Sequence, residues 1–234
     1  MIKNYLFDLD GTLLPLNEDD FLEKYMTLIG QKFFEIGLDP KVMIKRLWTG
    51  TKAMVENNGE KTNEDVFWDI FYPESDNHSD LKSKLEKFYQ NEFNHVFDST
   101  KPSDYSEKII KTLKDKGANV YLLTNPIFPK VATLRRIEWA GLNAEDFIYI
   151  TTYENSSFAK PNIKYYQTIM EKFNLKPSET MMVGNDVYED MIASELGMRT
   201  YLIKDCIKVP YGKKYKHFEQ GTLEEFYKKH VLKY

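Results

Sequence analysis

Asp8 and Asp10 stand two residues apart at the end of an apolar run, Tyr5-Leu6-Phe7, and Gly11 and Thr12 follow at once. In an extended chain residues i and i+2 point to the same side, so both carboxylates can face one small ligand. Carboxylates that close repel, which lifts one pKa above the usual value of about 3.9 or calls for a cation between them. One can then serve as nucleophile or metal ligand while the other handles protons. Gly11 gives the turn its conformational freedom, and Thr12 adds a hydroxyl and a backbone N–H beside the reacting group. The plainer reading is a strand closed by an Asp-Gly hairpin turn. That reading needs an alternating partner strand, whereas Pro15-Leu16-Asn17-Glu18-Asp19-Asp20 reads as the start of a helix.

Such a pair needs a frame. Residues 3–8 form a first strand, and open α/β sheets bind ligands at the C-terminal edges of their strands. Between about 17 and 95 the pattern turns helical: Phe21, Tyr25, Leu28 and Ile29, then Val66, Phe67 and Ile70, then Leu81, Leu85 and Phe88 recur at helical spacing. Asn57-Asn58-Gly59 and Pro73-Glu74-Ser75-Asp76-Asn77 break this block as loops, which predicts roughly four helices and no strand. After Phe97 helices and strands alternate. A helix runs from Ser103 to Lys116 and stops at Gly117, although the acid Glu107 comes one place late for a capping box. The expected order continues with a strand at 119–123, a helix at 129–140, a strand at Phe147–Ile150, and a helix opened by Lys160-Pro161 and running to Phe173. Then come a strand at Met181–Val183, a helix to Leu196, a strand at Arg199–Ile203, and a last strand and helix around Leu223–Val231. This alternation implies a parallel sheet with right-handed crossovers. The fold class is α/β, a parallel-sheet core of residues 1–15 and 96–234 with an inserted all-helical domain of residues 16–95.

Further polar residues fall at the predicted strand ends. Thr124, in Thr124-Asn125-Pro126, offers a hydroxyl and N–H groups suited to a phosphate oxygen. Lys160 could place an ammonium near a helix start, where it would neutralise an anion. Asp186 and Asp190 lie near the first turn of a helix, where acids suit the macrodipole. Each has an ordinary structural reading when taken alone. Their order around successive strand ends gives the set its weight.

Composition narrows the function classes. The 234 residues are 42% hydrophobic and 29% charged, with a net charge of -4, which gives no reason to expect a nucleic-acid partner. The lysines near the C-terminus alternate with glutamates, as on a solvated helix face. The single cysteine, Cys206, lacks metal-ligand spacing, and a reducing compartment fits it. No apolar run approaches about 18 residues, so no membrane span is expected and a cytoplasmic location follows. Nothing in the sequence bears on oligomeric state.

In these motifs the sequence resembles the haloacid dehalogenase superfamily. Asp8-Leu9-Asp10-Gly11-Thr12 matches its first motif, Leu123-Thr124-Asn125 its second, Lys160-Pro161 its third and Gly184-Asn185-Asp186 to Asp190 its fourth. The resemblance implies a Rossmann-like core, a mobile cap after the first motif, and phosphoryl transfer with Mg²⁺ on a small phosphorylated metabolite. Asp8 would be the nucleophile, and Asp10 would protonate the leaving alcohol and then activate water. Thr12, Thr124, Asn125 and Lys160 would bind the phosphoryl group. Mg²⁺ would sit among Asp8, the Asp10 carbonyl and an acid of the fourth motif. Many relatives have an aspartate directly after the glycine of that motif, where this chain has Asn185. The ligand is therefore assigned to Asp186, with Asp190 in the outer sphere and Asn185 an alternative through its carbonyl. True haloacid dehalogenases lack the second acid of the first motif, so Asp10 favours phosphate esters over carbon–halogen bonds. A phosphomutase of the same superfamily and a non-catalytic binding module are the alternatives. In the cap, Phe33, Phe34, Trp48, Phe67, Trp68, Phe71 and Tyr72 are mostly core by spacing, with a few expected to face the cleft. Lys45, Arg46 and Lys52 could reach a second anionic group, although a solvated surface is their ordinary role.

Overall fold

The computed structural model describes residues 1–74 and 78–233. The loop expected at 73–77 thus lies partly outside the described residues. Five strands form one parallel sheet in the order β2-β1-β3-β4-β5, with β1 at Asn4–Phe7, β2 at Asn119–Leu122, β3 at Thr180–Gly184, β4 at Arg199–Ile203 and β5 at Gln220–Gly221. β1 lies between β2 and β3, with Phe7 in register with Leu122 on one side and Val183 on the other. The chain crosses to opposite sides of β1 after its first and second strands, so the crevice at the β1/β3 edge is a topological switch point, where such sheets bind ligands.

The strands are buried on both faces, as parallel sheets require. Tyr5, Phe7, Val120, Leu122, Met181 and Val183 share one core with Ile109, Ile110 and Leu113 of helix α5 (Asp104–Asp115) and with Leu223 and Phe226 of helix α8 (Leu223–Phe226). Leu6, Tyr121, Leu123 and Met182, one residue out of step, pack on Tyr165, Tyr166 and Ile169 of helix α7 (Ile163–Phe173). The period-two alternation of side chains thus builds three layers from short apolar runs.

Between β1 and α5 the described residues form four α-helices, α1 (Glu18–Glu35), α2 (Pro40–Val55), α3 (Asn63–Phe71) and α4 (Ser79–Gln90), followed by a 3-10 helix at Glu92–Ser99. Each of the first three starts where a side chain takes an orphan N–H: Asn17 accepts from Asp20, Asp39 from Lys41 and Thr62 from Asp65. The two chain segments joining these helices to the sheet run side by side. Leu16 and Thr100 form an antiparallel bridge, with Asn17 N–H bonded to the Ser99 carbonyl at 3.0 Å and Lys101 N–H to the Pro15 carbonyl at 2.7 Å. The start of α3 is also tied to the sheet's loops, since Asn63 and Glu64 donate their N–H groups to the carbonyls of Ser156 and Tyr153.

Three expected elements differ. Phe147–Ile150 is not a strand: it follows directly on a 3-10 turn at Ala144–Asp146 and makes one parallel bridge, Leu122 to Ile150, through the Tyr149 carbonyl and the Thr151 N–H. The helix after Lys160-Pro161 begins later, at Ile163, because Asn162 caps it. The helix expected through Leu196 is a 3-10 turn over Met191–Leu196. Here Asp186 accepts the N–H groups of Tyr188 and Glu189 while Asp190 accepts that of Asp186. Local side-chain bonds of this kind compete with helix formation.

Candidate active site

Just beyond β1 the backbone closes a tight turn in which Gly11 N–H meets the Leu14 carbonyl and Leu14 N–H the Leu9 carbonyl, both at 2.8 Å. Gly11 has φ +81°, and a Cβ there would stand 2.3 Å from Asn185 Nδ2, so only glycine fits both the turn and the neighbouring loop. The turn presents Asp8 at the β1/β3 edge, its N–H held by the Val183 carbonyl at 2.9 Å.

Asp8 is the hub of a buried polar cluster. Its Oδ1 takes the Lys160 ammonium at 2.9 Å, and its Oδ2 lies 3.1 Å from the Thr12 hydroxyl. Lys160 also donates to Asp190 Oδ1 at 2.6 Å, and its side chain has no exposed surface. Burial would drive this ammonium toward neutrality. Asp190 and Asp8 outweigh that and hold its pKa well above the ordinary lysine value, so the lysine stays charged between two carboxylates. Thr12 is fully buried, and its hydroxyl lies between Asp8 and Asn185 Oδ1, 3.0 Å away. Asn185 in turn donates to the Cys206 carbonyl at 2.7 Å, so both ends of its amide are engaged.

Asp10 has a different partner. Its Oδ2 meets Arg136, a fully buried residue of helix α6 (Lys130–Trp139), while its Oδ1 is buried with no hydrogen-bond partner. Arg136 is itself fixed by the Ala132 carbonyl and the Thr133 hydroxyl, and it stacks 4.4 Å over the Phe128 ring. Burial raises the Asp10 carboxyl above its ordinary range, and the Arg136 charge offsets this only in part.

Thr124 and Asn125 line the same cavity as Asp8, Asp10, Asp186 and Asp190. The Thr124 carbonyl is held by the hydroxyls of Thr151 and Tyr165 at 2.8 and 2.9 Å. Asn125 accepts the Lys160 N–H at 3.2 Å and donates to Glu189 at 3.1 Å, joining the loops after β2 and β3. Burial pushes the Glu189 carboxyl up to about 7. Of the cap aromatics singled out above, Phe33, Trp48, Phe67 and Trp68 line the cavity. Arg46 and Lys52 instead pair with Glu74 and Glu56 on the surface.

Arg136, Glu189, Lys208 and the hydroxyl-paired Tyr25 and Tyr89 escape a sequence reading. Arg136 sits in an unremarkable helical run, Leu134-Arg135-Arg136-Ile137, and only the docking of α6 brings it to Asp10. Lys208 reaches the site from the loop after β4, paired with Glu18 at 2.8 Å and 3.7 Å from Asp186.

The profile of haloacid dehalogenase-like hydrolases matches residues 2–195. The chain belongs to this family of hydrolases. Pyrophosphatase PpaX of Halalkalibacterium halodurans is similar to it, at 22% identity over 210 residues, covering 88% of this chain and 86% of PpaX. A glyceraldehyde 3-phosphate phosphatase of Pyrococcus furiosus is 28% identical over 124 residues, 51% of this chain and 49% of the relative. Among solved structures, a phosphatase of the family from Thermococcus onnurineus superposes with a TM-score of 0.60 at 20% identity, covering 97% of each chain. A 2-haloacid dehalogenase from Pseudomonas syringae pv. Tomato gives 0.63 at 16% identity, covering 100% of this chain and 99% of that one. Since these family members act on different bonds, the chemistry has to be argued from the site.

Proposed function

We propose that this hydrolase is a Mg²⁺-dependent phosphatase of a small phosphorylated metabolite, acting through an aspartyl-phosphate on Asp8, with residues 16–95 as its cap. The observation that carries this reading is the second acid: Asp10 shares a cavity with Asp8, and its carboxyl is raised by burial. A group that holds a proton nearer neutrality suits the protonation of a departing alkoxide. Breaking a carbon–halogen bond would need no such donor.

Charge supports a metal. Among the described residues the cations around Asp8, Asp186 and Asp190 are already paired, Lys160 with Asp8 and Asp190, Arg136 with Asp10 and Lys208 with Glu18, so a phosphate dianion would meet carboxylates with no free cation beside them. Among the described residues no three His, Cys, Asp or Glu side chains gather as a ready metal cluster. Mg²⁺ suits such a site, because it takes hard oxygen donors and keeps several waters rather than demanding an all-protein cage. Asp8, Asp186 and the Asp10 carbonyl would hold it, and Asp190 would act through Lys160. When bound, the ion supplies charge neutralisation for the phosphoryl oxygens.

A carboxylate oxygen of Asp8 attacks phosphorus as the ester P–O bond breaks, and Asp10 gives its proton to the leaving oxygen. Asp10, now ionised, takes a proton from water, whose oxygen attacks the aspartyl-phosphate; phosphate leaves and both acids are restored. Lys160 and the Thr12 hydroxyl hold the two Asp8 oxygens, which orients the nucleophile before substrate arrives. Thr124 and Asn125 would contact the phosphoryl oxygens. Catalysis here is mainly positioning and charge stabilisation. The test is hydrolysis of p-nitrophenyl phosphate with Mg²⁺ and with EDTA, beside Asp8→Asn. Metal-dependent turnover lost in the variant is expected, and undiminished turnover by Asp8→Asn would refute the mechanism.

A further inference from the structure

The cavity that begins at Asp8 and Asp10 runs on among the four helices and has a volume of about 330 Å³. Beyond the carboxylates its walls are mainly apolar and aromatic, with Phe21, Tyr25, Leu47, Phe67, Trp68 and Tyr89 among them, each no more than 8% exposed, and Thr51, Lys82 and Glu86 add polar atoms. Tyr25 and Tyr89 spend their hydroxyls largely on each other, 2.8 Å apart. Among the described lining residues three carry a positive charge, and all three are committed: Arg136 to Asp10, Lys208 to Glu18 and Lys82 to Glu64.

Resting on the phosphatase reading above, we propose that the preferred substrates are phosphate monoesters of an uncharged, apolar alcohol about the size of one aromatic ring. A second phosphate or a carboxylate on the substrate would enter this chamber without a free cation to meet it, and burying an unpaired charge is costly. A sugar's hydroxyls would exchange water for walls that are mainly ring and aliphatic carbon, with few polar partners. An apolar group instead gains from leaving water and from contact with the rings. Size agrees: an apolar cavity of about 150 Å³ takes one benzene, so about 330 Å³ holds a ring with the phosphoryl group at its carboxylate end.

The test compares kcat/KM for 2-phenylethyl phosphate and glycerol 3-phosphate, both primary alkyl esters, using the full chain with Mg²⁺ and with p-nitrophenyl phosphate as control. Burial of the ring should favour the phenylethyl ester by about 10- to 150-fold. Equal or reversed preference, with the control hydrolysed, overturns this inference and leaves the phosphatase reading standing. If no ester is hydrolysed, the phosphatase reading fails. Calorimetric binding then decides the cavity preference: 2-phenylethylphosphonate should bind at least tenfold tighter than 2-hydroxyethylphosphonate, and equal binding overturns it.

Discussion

Lys160 offers the most direct test of how the buried cluster is held. It is the cation placed between Asp8 and Asp190, whose side chains are 10% and 1% exposed. Lys160→Met keeps the length of the side chain and removes the charge. Breaking a buried pair by deleting one partner costs about 3–5 kcal/mol, because the remaining charge is left uncompensated. For a chain of this size each kcal/mol moves the melting temperature by about 2–4 °C, so the loss should be roughly 6–20 °C. The melt is followed by circular dichroism in EDTA, so that no added ion can stand in for the ammonium. The double variant Lys160→Met/Asp190→Asn removes one stranded charge as well, and it should melt above the single variant. A single variant within about 2 °C of the parent would refute the reasoning. So would a double variant that falls by the sum of the two single losses, since contacting groups must couple.

Other perturbations read other parts of the molecule. Arg136→Met removes the residue that positions Asp10; an alkyl phosphate, which needs leaving-group protonation, should lose about 100-fold or more in kcat, while p-nitrophenyl phosphate loses less than about tenfold. Equal losses on both esters would make Arg136 merely structural. Gly11→Ala forces alanine into φ +81° and against Asn185, and should cost about 1–3 kcal/mol in urea unfolding together with most of the turnover; an unchanged variant would count against the turn as described. Burial of the His230 ring, packed near Phe226 and Tyr201, holds its pKa below the usual 6.5. The unfolded chain therefore takes up a proton first on acidification, and stability falls as pH drops through that range. His230→Phe should flatten that part of the stability curve, and parallel curves for parent and variant would refute it.

The first motif was legible because its chemistry is local: two acids, a glycine and a threonine within five residues predict a turn at a strand end, and β1 stops at Phe7. The sheet's strands were legible wherever an apolar run is fully buried, as at Met181–Val183 and Arg199–Ile203. Phe147–Ile150 has the same apolar look, yet a 3-10 turn stands directly before it and only one bridge to β2 forms, which no periodicity records. The polar stretch Gly184–Asp190 looked like a helix start, and instead Asp190 takes the Asp186 N–H while Asp186 takes those of Tyr188 and Glu189. The site followed the same division. Lys160 could be placed from its neighbouring proline, whereas Arg136 is 126 residues from Asp10 and becomes visible only when α6 docks. Hydrophobic spacing placed the aromatic residues in helices but did not show which of them wall the cavity.

The paired segments at Leu16 and Thr100 have a consequence for how this molecule can change. The chain leaves the sheet and returns to it through two segments hydrogen-bonded to each other, so in sequence the helices between them join the sheet at this one stalk, with the bonds from Asn63 and Glu64 to the sheet's loops as a second tie. Insertions are best tolerated where their ends lie close together, since the host then needs no rearrangement to accept them. The helices can therefore be shortened, exchanged or rebuilt as a unit while Asp8 keeps its place beside Val183. For an engineer the stalk marks a graft point: helices from another family member, joined at these two segments, would bring a new chamber to an unaltered Asp8 and Asp10.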